Sequence, residues 1–220
     1  MVRERLKFIL LPVWFVLLLP RQAGLSQEPD SRWTGLRWEA QWIACSGSPQ
    51  REFGVYHFRK TISLDSVPQH FVIHASGDNR YELYVNGARV LAGPARGDLF
   101  HWRYETLDIA RHLRARRNVL AAVVWNFAGL APMAQMTSET GFILQGDSSF
   151  ESSVNTNDSW KCTPESAIAM MALDRNEVPF YSVVGPGEQV DAASYPWGWE
   201  SNNFDDSAWK PAASLVEGAA

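Results

Sequence analysis

Two cysteines, a shortage of positive charge and the lack of a second long apolar run set the first limits on this chain of 220 residues. Cys45 and Cys162 lie 117 positions apart and supply neither a disulfide framework nor metal-ligand spacing. They are read as unpaired, although an oxidising compartment permits one bridge. A chain of this size holds a core without a covalent staple. The formal charge is −4. Without the first 26 residues, which hold Arg3, Glu4, Arg5, Lys7 and Arg21, 16 basic and 23 acidic residues remain, a charge of −7. That balance excludes a nucleic-acid partner, since phosphate contacts need a basic surface. Helix signals are scarce as well, with one short hint over residues 108–113. Against these shortages, 46% hydrophobic and 20% charged residues describe a globular chain rather than a disordered one.

The longest apolar run covers residues 8–19, 12 positions, and follows Arg3, Arg5 and Lys7. Spanning a bilayer takes about 20. Gly24 and Ser26 stand at −3 and −1 of a cut before Gln27. Residues 1–26 therefore read as a secretory signal peptide. No cysteine follows closely enough for lipid attachment. The mature protein is expected to be secreted or periplasmic, with no membrane contact once the signal is removed.

The remainder reads as short strands between turns. In residues 55–62, Tyr56, Phe58 and Ile62 fall on alternate positions. In residues 70–75, Phe71, Ile73 and Ala75 share one side and His70, Val72 and His74 the other. Residues 81–85 lead into Asn86-Gly87, the strongest short hairpin signal, because both central residues need positive φ. Residues 89–91 return. Residues 106–109 and 142–144 are short strands, and the apolar run 119–125 fits a strand buried on both faces. From Thr163 the pattern weakens, and 185–187 and 195–199 read as loop. An echo links Asp158-Ser159-Trp160-Lys161 to Asp206-Ser207-Ala208-Trp209-Lys210: an Asp/Ser turn delivering a Trp into a core at a strand start. The chain stops where the second such strand should run. The expectation is an all-β sandwich of the galactose-binding-like jelly-roll type, C-terminally incomplete. Its parts would be 1–26 as signal, 27–165 as sandwich, and 166–220 as a loop-rich, truncated continuation.

Tyr84-Val85-Asn86-Gly87, followed in order by Gly93-Pro94, Tyr104, Asp108, Leu113 and Asn118, resembles the N-terminal β-sandwich region of bacterial α-L-rhamnosidase-like glycoside hydrolases. Phe204-Asp205-Asp206-Ser207-Ala208-Trp209 is similar to an element that recurs in such sandwiches. The resemblance covers roughly residues 42–209. It departs at Trp125-Asn126-Phe127, where that family often has Gly-x-Gly-Trp, and over 93–102, which looks more like a related subgroup. The family's catalytic helical barrel and its acids are missing, so no catalytic residue carries over. What the resemblance implies is a non-catalytic, carbohydrate-contacting accessory region. Its partners would be a rhamnose-containing or other glycan and a helical-barrel catalytic domain encoded downstream. A free-standing sugar-binding module and a structural remnant without a ligand stay open as alternatives.

The residues offer no catalytic pair of their own. Glycoside hydrolysis needs two carboxylates about 5–10 Å apart across one bond. Asp205 and Asp206 are adjacent and diverge, which suits a turn before Trp209. Glu105 and Asp108 lie where capping is expected. The densest polar cluster is Arg96, Asp98, His101 and Trp102. Sugars present hydroxyls for paired polar contacts and a C–H face for an aromatic ring, and this set supplies both. The plainer reading pairs Arg96 with Asp98 and puts Trp102 at the core edge. Asp78 and Asn79, beside Arg80, form a second polar turn, which is also consistent with a simple Asx turn. Of nine tryptophans after the signal, Trp197 and Trp199 are expected to be the exposed or domain-docked ones. Arg111, Arg114, Arg116 and Arg117 read as a solvated run, or else as a contact for an acidic polysaccharide. His57, His70 and His74 do not make a metal site by spacing, and no metal or cofactor is expected. Asn157-Asp158-Ser159 matches a glycosylation sequon.

Overall fold

The computed structural model describes residues 37–171, 174, 176 and 185–219. The signal read at residues 1–26 lies outside them. The strands are β1 (Arg37–Ala44), β2 (Gly54–Leu64), β3 (Val72–Asp78), β4 (Arg80–Val85), β5 (Ala88–Gly93), β6 (Glu105–Asp108) and β7 (Arg116–Asn126). They continue with β8 (Gly141–Gly146), β9 (Lys161–Pro164), β10 (Ile168–Met171), β11 (Gly187–Val190), β12 (Lys210–Pro211) and β13 (Ala213–Ala219). A five-stranded sheet has the order β13-β1-β8-β3-β6, and a six-stranded one β12-β9-β2-β7-β4-β5. β10 and β11 form a separate ladder. The architecture is the expected all-β sandwich.

The six-stranded sheet is built on β2 and β7, which pair antiparallel along their length, from Gly54↔Asn126 to Leu64↔Arg116. β4 and β5 join β7 as the Asn86-Gly87 hairpin, with φ of 52° and 87° at the two turn residues. Asparagine and glycine tolerate that region, where a β-branched residue would be strained. The Asn86 amide does more than turn the chain. Its Nδ2 donates to His112 O (2.8 Å) and Asn118 Oδ1 (2.9 Å), while its Oδ1 accepts from Val119 N (3.0 Å). Asn118 in turn holds Arg114 and Arg116 through their backbones. The asparagines of the sequence pattern thus lock the hairpin to the start of β7.

The main core lies between the two sheets, where Phe58, Tyr81, Leu83, Phe142, Leu144 and Trp160 are buried. A second apolar cluster sits on the outer face of the six-stranded sheet. Trp199 covers Val55, Val119, Ala121 and Val123 there, with Tyr195, Phe204 and Trp209 packed against them. This roof explains why β7 is buried on both faces. It also corrects the expectation for Trp199, which is 3% exposed, whereas Trp197 is 67% exposed. Trp199 stacks on His57 at 4.0 Å between ring centroids and 13° between planes.

Arg59, fully buried in β2, fastens the roof. Its Nε donates to Asp206 Oδ2 (3.0 Å), and its Nη1 donates to the carbonyls of Trp199 and Ser201. Its guanidinium lies 5.3 Å from the Phe204 ring centre. Asp206 also takes Lys161 Nζ at 2.7 Å. Burial alone would push the Asp206 carboxyl up, but Lys161 and Arg59 outweigh it and hold it below its ordinary value. Asp205 caps Ser207 N at 2.9 Å. Asp205 therefore serves the turn that its adjacency indicated, whereas the Asp206 carboxylate holds the ion pairs with Arg59 and Lys161.

The Trp echo is present in three dimensions: Trp160 is buried just before β9, and Trp209 packs on the second cluster just before β12. The chain after Trp209 supplies edge strands to both sheets. The helical hint over 108–113 is a single 3-10 turn, Ala110–His112. Asp108 Oδ1 accepts from Ala110 N and Phe71 N, and those bonds, with His70, lower its pKa to about 2. His57 and His74 stand in different sheets.

Candidate functional site

The loop between β5 and β6 carries the densest polar cluster, and it is held from below. Glu105 Oε1 accepts from Ala95 N (2.7 Å), and its Oε2 accepts from Tyr81 O–H (2.8 Å). Burial pushes the Glu105 carboxyl above its ordinary value against these donors. Ser76 Oγ donates to Arg103 O (2.6 Å) and accepts from Trp102 Nε1 (3.0 Å). Trp102 is half-buried and meets Trp42 edge to face, with ring centres 6.1 Å apart. At the loop's tip Asp98 Oδ1 accepts from Phe100 N (2.8 Å) and His101 N (3.0 Å). His101 Nδ1 lies 2.9 Å from Asp98 Oδ2. The His101 and Phe100 hydrogen bonds hold the Asp98 carboxyl below its ordinary value.

A second segment closes the other side. Gly97 N donates to Ala134 O at 3.1 Å, which brings residues 131–136 against the loop. A side chain at Gly97 would meet His101 O at 2.8 Å, so this approach requires glycine. Asn79, buried in the turn between β3 and β4, donates from Nδ2 to Gln135 O at 2.6 Å. The result is a shallow, open cleft lined by Asn79, 94–98, Trp102, Arg103 and 134–136.

Four of the six sequence-derived candidates, Asn79, Arg96, Asp98 and Trp102, line this one cleft. Asp78 and His101 do not. Asp78 Oδ2 accepts from Ser138 N (2.6 Å) and Glu139 N (2.8 Å), so it shapes the loop beyond Met136. Burial pushes its pKa up, against those hydrogen bonds and one from Thr137. His101 instead braces Asp98 from outside. Asp98's partners are His101 and the Phe100 backbone, rather than the Arg96 pairing of the plainer reading. Gln135 and Met136 carry no motif that marks them, and Pro94 stood out only within the Gly93-Pro94 resemblance. Gln135 carries a buried Oε1 with no hydrogen-bond partner. Phe100, Met133 and Met136 add exposed apolar surface on these two segments, Phe100 at 92%.

Among the described residues Asp98 is the one acid lining the cleft, so no facing pair of carboxylates stands there. Among the described residues no group of three or more His, Cys, Asp or Glu is placed to hold a metal ion. No described helix is long and apolar enough to cross a membrane.

The sequence profile of the alpha-L-rhamnosidase N-terminal domain family matches residues 67–218. Among solved structures, the chain is similar to the GH78 family rhamnosidase of Bacillus sp. GL1, with 25% identity and a TM-score of 0.70 over 84% of this chain and 19% of that one. The alpha-L-rhamnosidase from Dictyoglumus thermophilum follows at 20% identity and 0.59, over 81% of this chain and 21% of that one. The enzyme from Aspergillus terreus stands at 19% and 0.57, over 82% and 21%. The chain thus spans about a fifth of the length of these relatives. No curated protein sequence matches it.

Proposed function

Because the chain belongs to the α-L-rhamnosidase N-terminal domain family, we propose that it is a non-catalytic, carbohydrate-contacting accessory region of a secreted α-L-rhamnosidase-like glycoside hydrolase. Residues 1–26 are its export signal, 27–165 its sandwich and 166–220 the sandwich's continuation. The hydrolysis belongs to a helical-barrel domain outside this sequence, and this chain contributes contact to a rhamnose-containing glycan.

One observation carries the reading: Arg96, Asp98 and Trp102 line the same open cleft as Asn79 and Gln135. Each has a distinct job. Asp98 keeps an ionised carboxylate at the rim to accept sugar hydroxyls, and Arg96 brings a multi-donor guanidinium beside it. The indole N–H of Trp102 is committed to Ser76, so the ring itself is what remains for a sugar's C–H face. Asn79 spends its amide on the Gln135 backbone and fixes the floor. Gln135 Oε1 remains as an acceptor for one hydroxyl.

A sugar ring of about a dozen non-hydrogen atoms, at about 0.3 kcal/mol per atom, binds with about 4 kcal/mol, a Kd near ~1 mM. The test titrates L-rhamnose and rhamnosides into the protein and follows tryptophan fluorescence. The expected result is a saturable change in the millimolar range that Trp102→Ala abolishes and Arg96→Ala weakens several-fold. A flat titration up to high-millimolar sugar sinks the proposal, as does an unchanged response in Trp102→Ala.

A further inference from the structure

We propose that Cys45 and Cys162 form a cross-linking site. A small-molecule disulfide donor such as oxidised glutathione converts them into an intramolecular disulfide that joins the two sheets. Cys45 directly follows β1 in the five-stranded sheet, and Cys162 is the second residue of β9 in the six-stranded sheet. Both thiols are free, and both are buried in the same core cluster. Their side chains interact with each other. Cys162 Sγ also lies 3.9 Å from Ala44 O. Two thiols from opposite sheets, 117 positions apart in sequence, thus meet side by side.

The location gives the bond a mechanical meaning. β12 pairs Lys210 with Cys162, and β13 pairs Ala213 with Ala44. Between them the chain changes sheets at buried Ala212. A Cys45–Cys162 bond clamps the sandwich at that crossing.

The chemistry is a two-electron exchange. The Cys162 thiolate attacks one sulfur of the donor disulfide, giving a mixed disulfide and releasing one thiol. Cys45 then loses its proton and attacks the Cys162 sulfur, releasing the second. The two cysteines are oxidised, and one donor disulfide is reduced to two thiols. Cys162 is the better first nucleophile. Its strand, β9, is covered along one edge by the two-residue β12, so it is the thiol reached first. Access comes from fraying of β12, a two-residue edge strand.

The experiment incubates the folded full chain with oxidised glutathione and reads intact mass, a non-reducing peptide map and melting temperature. The expected result is loss of two hydrogens, a Cys45–Cys162 peptide, and a rise in Tm of about 5–15 °C reversed by dithiothreitol. Cys45→Ala should instead accumulate a stable glutathione adduct on Cys162. Three outcomes overturn the proposal: persistent adducts on the natural chain, disulfide-linked dimers, or two free thiols surviving incubation in mild urea that frays the edge strands. None of these readings depends on sugar binding.

Discussion

His57 makes stability fall in mildly acidic solution, and the size of the fall follows from its surroundings. The ring is fully buried in β2, beneath the stacked Trp199 and edge-on to Tyr195. Neither ring nitrogen has a hydrogen-bond partner. Glu165 Oε2 stands 3.7 Å from Nδ1, too far to bond. Burial therefore lowers the His57 pKa from 6.5 to about 3. A base whose folded pKa is depressed takes up its proton more readily when unfolded. Its contribution is complete above pH 6.5 and is lost progressively as the pH falls toward 3. Between pH 8 and pH 5 the loss works out at about 2 kcal/mol, or about 4–8 °C in Tm. Urea unfolding at several pH values measures it. His57→Phe keeps a flat ring against Trp199 and should flatten the profile across that window. An unchanged profile in the variant refutes the reasoning. So does a His57 proton resonance that titrates near pH 6.5 in the folded protein.

Other perturbations test neighbouring parts of the account. Asp206→Ala strands the buried Arg59 guanidinium and should cost about 3 kcal/mol in urea unfolding, since breaking a buried pair costs more than the pair contributes. Adding Arg59→Met should recover part of that loss, and a strictly additive double variant would contradict the clamp. Because Asp206 is held below its ordinary value, its contribution is present above about pH 4 and fades as acid protonates it. Glu105→Gln leaves one acceptor for two donors, Tyr81 O–H and Ala95 N–H. It should weaken sugar binding several-fold while changing Tm by only a few degrees, as calorimetry of both would show.

Much of this fold was legible because local chemistry and tertiary need coincide. Asn86-Gly87 turns where its backbone preference says it should, and the run 119–125 is buried on both sides. The run did not reveal its cover, because the roof comes from Tyr195, Trp199 and Phe204, which sit in turns without periodicity. Trp199 was misplaced for the same reason: a Pro/Gly-rich loop reads as surface until Arg59 and Asp206 fasten it down. β1 escaped notice although Trp38 and Ala40 are both buried, since alanine, glutamine and glutamate dilute its strand propensity. In the cleft, the cluster at 96–102 stood out by density. Its opposite wall of Ala134, Gln135 and Met136 has no composition to mark it. The Gly97–Ala134 hydrogen bond brings the two sides together.

The ladder between β1 and β13 carries a consequence for synthesis. Ala44 finds its partner at Ala213, and Ile43 finds one at Ser214. A ribosome must therefore make nearly all of the described chain before this ladder can zip. Until then a nascent sandwich carries an open strand edge on β1, and such edges recruit other chains. Slow closure of so distant a contact makes β13 the element that ends the vulnerable period.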